Sequence, residues 1–207
     1  MRKFLRCGSL VGLFSLLLAG CFLPVDFEER IEIRANGDFE ERFTGVLVEW
    51  ALYERMKKGE ITAAEATAKS RETLQAIAKD PGVKAATEEG LFRYRVEYQR
   101  KGNVFEEFKK TKGSSPTEGE PDVMSFLADL FFLRRQPGGT LLLERKRTSP
   151  GDLDRFRRLG LEMKGALILR VQGEVAEHNA QAVSGQEYRW TIQSLTDPAV
   201  RVSFRLN

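Results

Sequence analysis

The chain has 207 residues, a formal net charge of +3 and a single histidine. Arg2, Lys3 and Arg6 account for the whole of that excess, so the rest is balanced and gives no argument for a nucleic-acid partner. The two cysteines, Cys7 and Cys21, both lie near the N-terminus, which excludes a cysteine nucleophile, a thiolate metal site and a disulfide from the rest of the chain.

Met1 to Arg6 is basic, and Leu10 to Leu18 is apolar with only Gly12 and Ser15 interrupting it. That length suits a signal peptide and falls short of the roughly 20 apolar residues a spanning helix needs. An uncleaved N-terminal helix is the other reading. The stretch ends in Leu18-Ala19-Gly20-Cys21, which resembles the lipobox of bacterial lipoprotein leaders. The resemblance implies cleavage between Gly20 and Cys21, a diacylglyceryl thioether on Cys21, and a further acyl chain such as palmitate on the new amino group. Two or three chains hold a protein on a bilayer where one does not. The expected location is the bacterial cell envelope, outside the cytoplasm and anchored by lipid. Phe22, not Asp, follows the cysteine, which implies the outer membrane in a Gram-negative host.

The expected organisation is a signal peptide over residues 1–20, a lipidated tether over 21–26, and one α+β extracytoplasmic domain over 27–207. Ile31 to Ala35 alternates with period two, Asn36-Gly37 signals a hairpin turn, and Phe39 to Phe43 returns as a strand. Val46 to Met56 reads as a helix stopped near Gly59. Thr62-Ala-Ala-Glu65 opens a second helix with a capping box, and Asp80-Pro81-Gly82 stops it. Phe92 to Tyr98 is a half-buried strand, Asn103 caps a short helix through Phe108, and Thr111 to Pro121 is a polar loop. Val123 to Arg135 is expected as a helix with a wide apolar surface, because only Ser125 and Asp129 interrupt its apolar run and both fall on one side. Thr140 to Lys146 is a strand, and Ser149-Pro150 starts a helix that Gly160 ends. Ala166 to Val171, Tyr188 to Ile192 and Val200 to Leu206 are strands, with Asp197-Pro198 as the turn between the last two. Short connections between strands favour a largely antiparallel sheet with helices inserted in the middle of the chain. An open sheet and a barrel-like closure serve the pattern equally.

Val171-Gln-Gly173-Glu-Val175, His178-Asn179-Ala180, the Gly185 turn and Tyr188-Arg-Trp190-Thr-Ile192 together resemble the LppM-type domain of bacterial envelope lipoproteins. The likeness covers about residues 171–192 by motif and the remainder by layout. It implies an α+β domain outside the cytoplasmic membrane, with lipid or glycolipid as the leading ligand class. Some relatives carry a C-terminal membrane helix. This sequence closes on a strand at Asn207, so Cys21 is its expected anchor.

No motif for catalysis stands out. His178 reads as a turn residue; there is no G-x-S-x-G elbow, no second imidazole for a metal, no calcium loop and no phosphate loop. No cofactor is expected, and the protein is read as a non-enzyme. Glu28-Glu29, Glu40-Glu41 and Glu106-Glu107 read as solvated strand edges and helix faces. The expected ligand site is the apolar helix, through Phe126, Leu130, Phe131 and Phe132, with Arg134 and Arg135 beside it. From Arg134 to Arg170 ten basic residues face four acids, which suits an anionic head group on a lipid or other amphiphile. The alternative function is an assembly module that docks another cell-envelope protein.

Overall fold

A computed structural model describes residues 22–112, 122–127 and 129–206. The leader, Cys21 and the polar loop from residue 113 onward lie outside the described residues. The first hairpin pairs β1 (Phe22–Ile33) with β2 (Asp38–Glu49). Gly37 makes its turn at φ +85°, and the Asn36 side-chain Oδ1 accepts from the Asp38 N–H. Residues 22–26 are therefore strand, not tether: Leu23 and Val25 continue the inward phase of β1, and Pro24 is buried at the register shift before Asp26.

β2 also runs further than its sequence suggests, and α1 (Trp50–Lys57) begins only after it. Val46 and Val48 are buried as strand residues, which the helical reading of 46–56 missed. α2 (Ala63–Ala78) has the expected capping box, with Thr62 and Glu65 bonded reciprocally. β3 (Val83–Gly90) and β4 (Arg93–Asn103) form a second hairpin, and α3 (Val104–Lys112) starts where the Asn103 side chain accepts from the Phe105 N–H.

The expected helix over 123–135 is instead two strands, β5 (Val123–Phe126) and β6 (Phe131–Arg135). Met124, Phe126, Phe131 and Leu133 point inward while Ser125, Phe132 and Arg134 sit half-buried on the other face. That is period two on each side of a turn, and Leu127 (φ +44°) and Asp129 (φ +65°) make the turn in the left-handed region. A continuous apolar run does not distinguish a buried helix from two short buried strands. β7 (Leu141–Arg145), α4 (Pro150–Arg158) and β8 (Lys164–Val171) follow, with Ser149 capping α4. The chain ends through β9 (Glu174–His178), β10 (Ala182–Ser184), β11 (Glu187–Ile192) and β12 (Arg201–Arg205).

The strands form two open sheets, ordered β10-β11-β8-β1-β2-β4-β3 and β5-β6-β7-β12-β9, and neither closes into a barrel. The fold is α+β. Its pairings are antiparallel except for β1 with β8, which is parallel. Buried side chains of both sheets belong to one apolar core. β8 is at its centre: Ala166, Leu167, Ile168 and Leu169 are all buried, so both of its faces are covered.

β11 and β12 do not form a hairpin across Asp197-Pro198; they belong to different sheets. Asn179 joins those sheets where the chain passes from β9 toward β10. Its carbonyl oxygen accepts from Trp190 Nε1 on β11 and from the Arg201 N–H on β12, both at 2.8 Å. Its amide donates to the Ala199 carbonyl at 2.7 Å. The neighbouring His178 is exposed, and its Nδ1 accepts from the Ala180 N–H. Asn179→Ala strands two donors at once and is expected to cost about 1–3 kcal/mol in urea unfolding. Asn179→Asp, which keeps the oxygen that accepts both bonds and gives up only the donor to Ala199, is expected to lose less.

Candidate functional site

On β1, Leu23, Val25, Phe27, Ile31 and Ile33 form an inward row, and Glu29 falls in the same phase. On β2, Glu41 sits likewise between Phe39 and Phe43. Strand geometry thus forces two carboxyls inside: Glu29 is 0% and Glu41 1% exposed. Their sequence neighbours Glu28 and Glu40 point the other way. Of the four acids read as solvated strand edges only Glu28 is exposed, since Glu40 is largely covered by Arg42, Gln99 and Lys101 and both strands lie inside the sheet. Glu106 and Glu107, by contrast, pair with Lys109 and Lys110 on the surface of α3.

Arg100 on β4 answers the buried charge. Its Nε donates to Glu41 Oε2 at 2.8 Å, and its Nη2 donates to the Ser125 carbonyl at 2.8 Å. The guanidinium lies against the rings of both Phe39 and Phe126, 5.3 and 5.6 Å from their centroids. The other Glu41 oxygen accepts from the Leu127 N–H at 2.8 Å. One carboxylate and one guanidinium therefore pin the β5–β6 hairpin of the second sheet onto the first.

Glu29 differs. Neither of its oxygens has a donor among the described residues. Burial first, and then the charge of Glu41, hold its carboxyl well above the ordinary value of 4.5, against a smaller opposing pull from Arg100. The fold therefore disfavours its ionised form.

Beside this cluster a cleft of about 180 Å³ opens between the first sheet, the end of α2 and the β5–β6 turn. Its walls are Phe22 from β1, Phe43 and Leu47 from β2, Ile77 from α2, Val83 from β3, Val96 and Tyr98 from β4, and Leu127. Its polar lining is Glu41, Arg100, Ser125, Asp80 and Asp129. Tyr98 packs against Gly82, where any Cβ would overlap the ring. Burial and then the nearby Glu41 push the Tyr98 hydroxyl far above its usual range.

None of the six ligand residues expected from sequence lines this cleft. Phe126 and Phe131 are core residues at 1% and 0% exposure, Phe126 crossing edge-on to Phe39. Leu130 is half-buried against the same core. Phe132 lies under the Arg134 guanidinium, which also meets Glu144 at 3.0 Å, and Arg135 meets Asp122. Their neighbours Ser125, Leu127 and Asp129 reach the cleft instead, because the turn presents its backbone and alternate side chains there. The basic run is likewise dispersed. Arg145 is buried and donates to the Asp197 carbonyl, Arg155 pairs with Glu54 on α1, Arg157 with Asp154, and Lys164 with Glu162. These residues belong to different sheets and helices and form no single cationic face. Among the described residues there is no group of three or more metal-ligating side chains, and no helix long and apolar enough to cross a membrane.

Sequence reasoning missed Glu29, Glu41 and Arg100. The signal was available in the phase of β1 and β2, where each glutamate occupies a position that its strand assigns to the interior.

Glu29 gives the fold a pH dependence. In the unfolded chain it ionises near 4.5, and in the folded chain only well above that. Its contribution is full below the unfolded value and is lost as pH rises through the folded one. Glu41, Arg100 and Tyr98 are the charged or titratable groups that face it. Glu29→Gln mimics the protonated form. Between about pH 5 and about pH 9 the wild-type Tm is expected to fall more steeply than the variant's; equal slopes in thermal unfolding would show Glu29 ionised in the fold.

No protein-family model matches the chain, and no curated protein matches it. Among solved structures, the folded domain of LppM from Mycobacterium tuberculosis is similar over 91% of this chain and 92% of its own, with a TM-score of 0.41 and 8% identity.

Proposed function

We propose that the protein is a lipid-anchored, extracytoplasmic binding module, without catalytic activity, that takes the apolar part of an amphiphile into the cleft beside Glu41 and Arg100. The observation that carries this reading is the cleft itself, whose walls come from Phe22, Phe43, Leu47, Ile77, Val83, Val96, Tyr98 and Leu127. A cavity of similar size lined by apolar side chains stays dry and takes up small apolar molecules. Whole-ligand pockets run to about 300–1,000 Å³, so a cleft of about 180 Å³ suits the end of a chain and not an entire lipid.

The position of the cleft also favours a membrane ligand. Phe22 lines it, and Phe22 directly follows the cysteine that the leader marks for lipidation. An anchor at Cys21 would hold this end of the domain at the bilayer surface. A chain displaced from the membrane would then reach the cleft without crossing water. This reading replaces the apolar helix and basic patch with the β5–β6 turn and the open face of β2, β3 and β4.

Val83 lies half-buried on the edge strand β3, so a larger side chain there fills the cleft without entering the core. Val83→Trp is expected to weaken binding of the neutral fluorophore N-phenylnaphthylamine by about tenfold or more, which corresponds to about 1.4 kcal/mol. The thermal unfolding midpoint is expected to stay close to that of wild type. Leu47→Trp serves as a second filling variant. Binding that both variants leave intact would place the fluorophore elsewhere and remove the reading.

A further inference from the structure

The cleft carries more than an apolar wall. Its charged lining residues are Glu41, Arg100, Asp80 and Asp129. Glu41 and Arg100 cancel each other at 2.8 Å, and Arg100 spends a further N–H on the Ser125 carbonyl. Asp80 and Asp129 are not cancelled. Neither has a cationic partner among the described residues, and the Asp80 carboxylate accepts from the Gly82 N–H at 2.8 Å. Lys79 and Lys84, the nearest cations along the chain, are exposed and make no ion pair with Asp80. The cleft is therefore apolar inside and carries two net negative charges on its lining.

Both aspartates are held in place by the backbone. Asp80 sits where α2 ends, with Val83 N–H bonded to its carbonyl. Asp129 sits in the left-handed turn whose Leu127 N–H is bound by Glu41. A low-dielectric wall strengthens the field of charges fixed at its rim.

Resting on the binding reading above, we infer that the cleft selects amphiphiles with a cationic head, Asp80 and Asp129 meeting the head while the chain end enters between Leu47, Val83 and Val96. This inverts the head-group charge that the basic run in the sequence suggested. Asp80 and Asp129 act here as specificity residues, and the apolar wall supplies affinity common to any chain.

The test is displacement of N-phenylnaphthylamine from soluble residues 22–207 by three dodecyl amphiphiles below their micellar concentrations, which differ only in the head. Dodecyltrimethylammonium is expected to compete about tenfold more tightly than dodecanoate at low salt, with dodecyl maltoside between them. In the double variant Asp80→Asn, Asp129→Asn the difference, measured against that variant's own fluorophore affinity, is expected to collapse to within about twofold. Asparagine keeps the bond to the Gly82 N–H and tolerates the left-handed turn, so the double variant is expected to fold. Dodecanoate competing as well as the cation would overturn the inference, as would a cation preference that survives in the double variant. Fluorophore bound but displaced by none of the three would sink the head-group claim and leave the cleft reading standing. A protein that binds no fluorophore at all removes both.

Discussion

The Glu41–Arg100 pair is the constraint on which the rest of the molecule turns. A carboxylate at 1% exposure is tolerable only when its charge is answered and its oxygens are bonded. Arg100 answers the charge, and the Leu127 N–H takes the oxygen that Arg100 leaves. Because Leu127 and Ser125 belong to the second sheet, meeting this local demand also sets where that sheet sits. The cleft is the space left beside the contact. Its size is therefore fixed by a polar link and not by how well two apolar faces interlock.

Glu29 makes that arrangement conditional. Burial and the charge of Glu41 hold its carboxyl well above the ordinary value, which disfavours a second negative charge beside Glu41. Were both ionised, Arg100 would serve two carboxylates at once and its hold on the β5–β6 hairpin would weaken. Burying an acid in its neutral form costs less than burying its anion, and the row of apolar side chains on β1 is an environment that enforces the choice.

Much of this fold is legible in the sequence, for reasons that can be traced residue by residue. The Asn36-Gly37 turn, the capping box at Thr62 and Glu65, the Asn103 cap and the Ser149-Pro150 helix start each rest on local chemistry that tertiary packing did not override. Where local signals were silent, the reading failed. Residues 123–135 contain enough apolar side chains to satisfy either period, and only the left-handed backbone at Leu127 and Asp129 separates two strands from one helix. The candidate site was hidden by a habit of reading paired acids as surface. Glu29 and Glu41 look unremarkable as doublets and conspicuous once strand phase is applied. The Asn179 and Trp190 motif was visible from the start. In the structure those residues serve as a joint between sheets, a role that sequence similarity alone does not reveal.

The parallel pairing of β1 with β8 sets an order on folding. The hairpin of β1 and β2 can form as soon as its own residues are available. The strand that covers its other edge comes from residues 164–171, near the far end of the chain. The centre of the core therefore stays open until almost the whole polypeptide is present, and contacts of such long sequence separation form slowly. The register of β1 against β8 thus makes closure of the core a late event in the life of the chain.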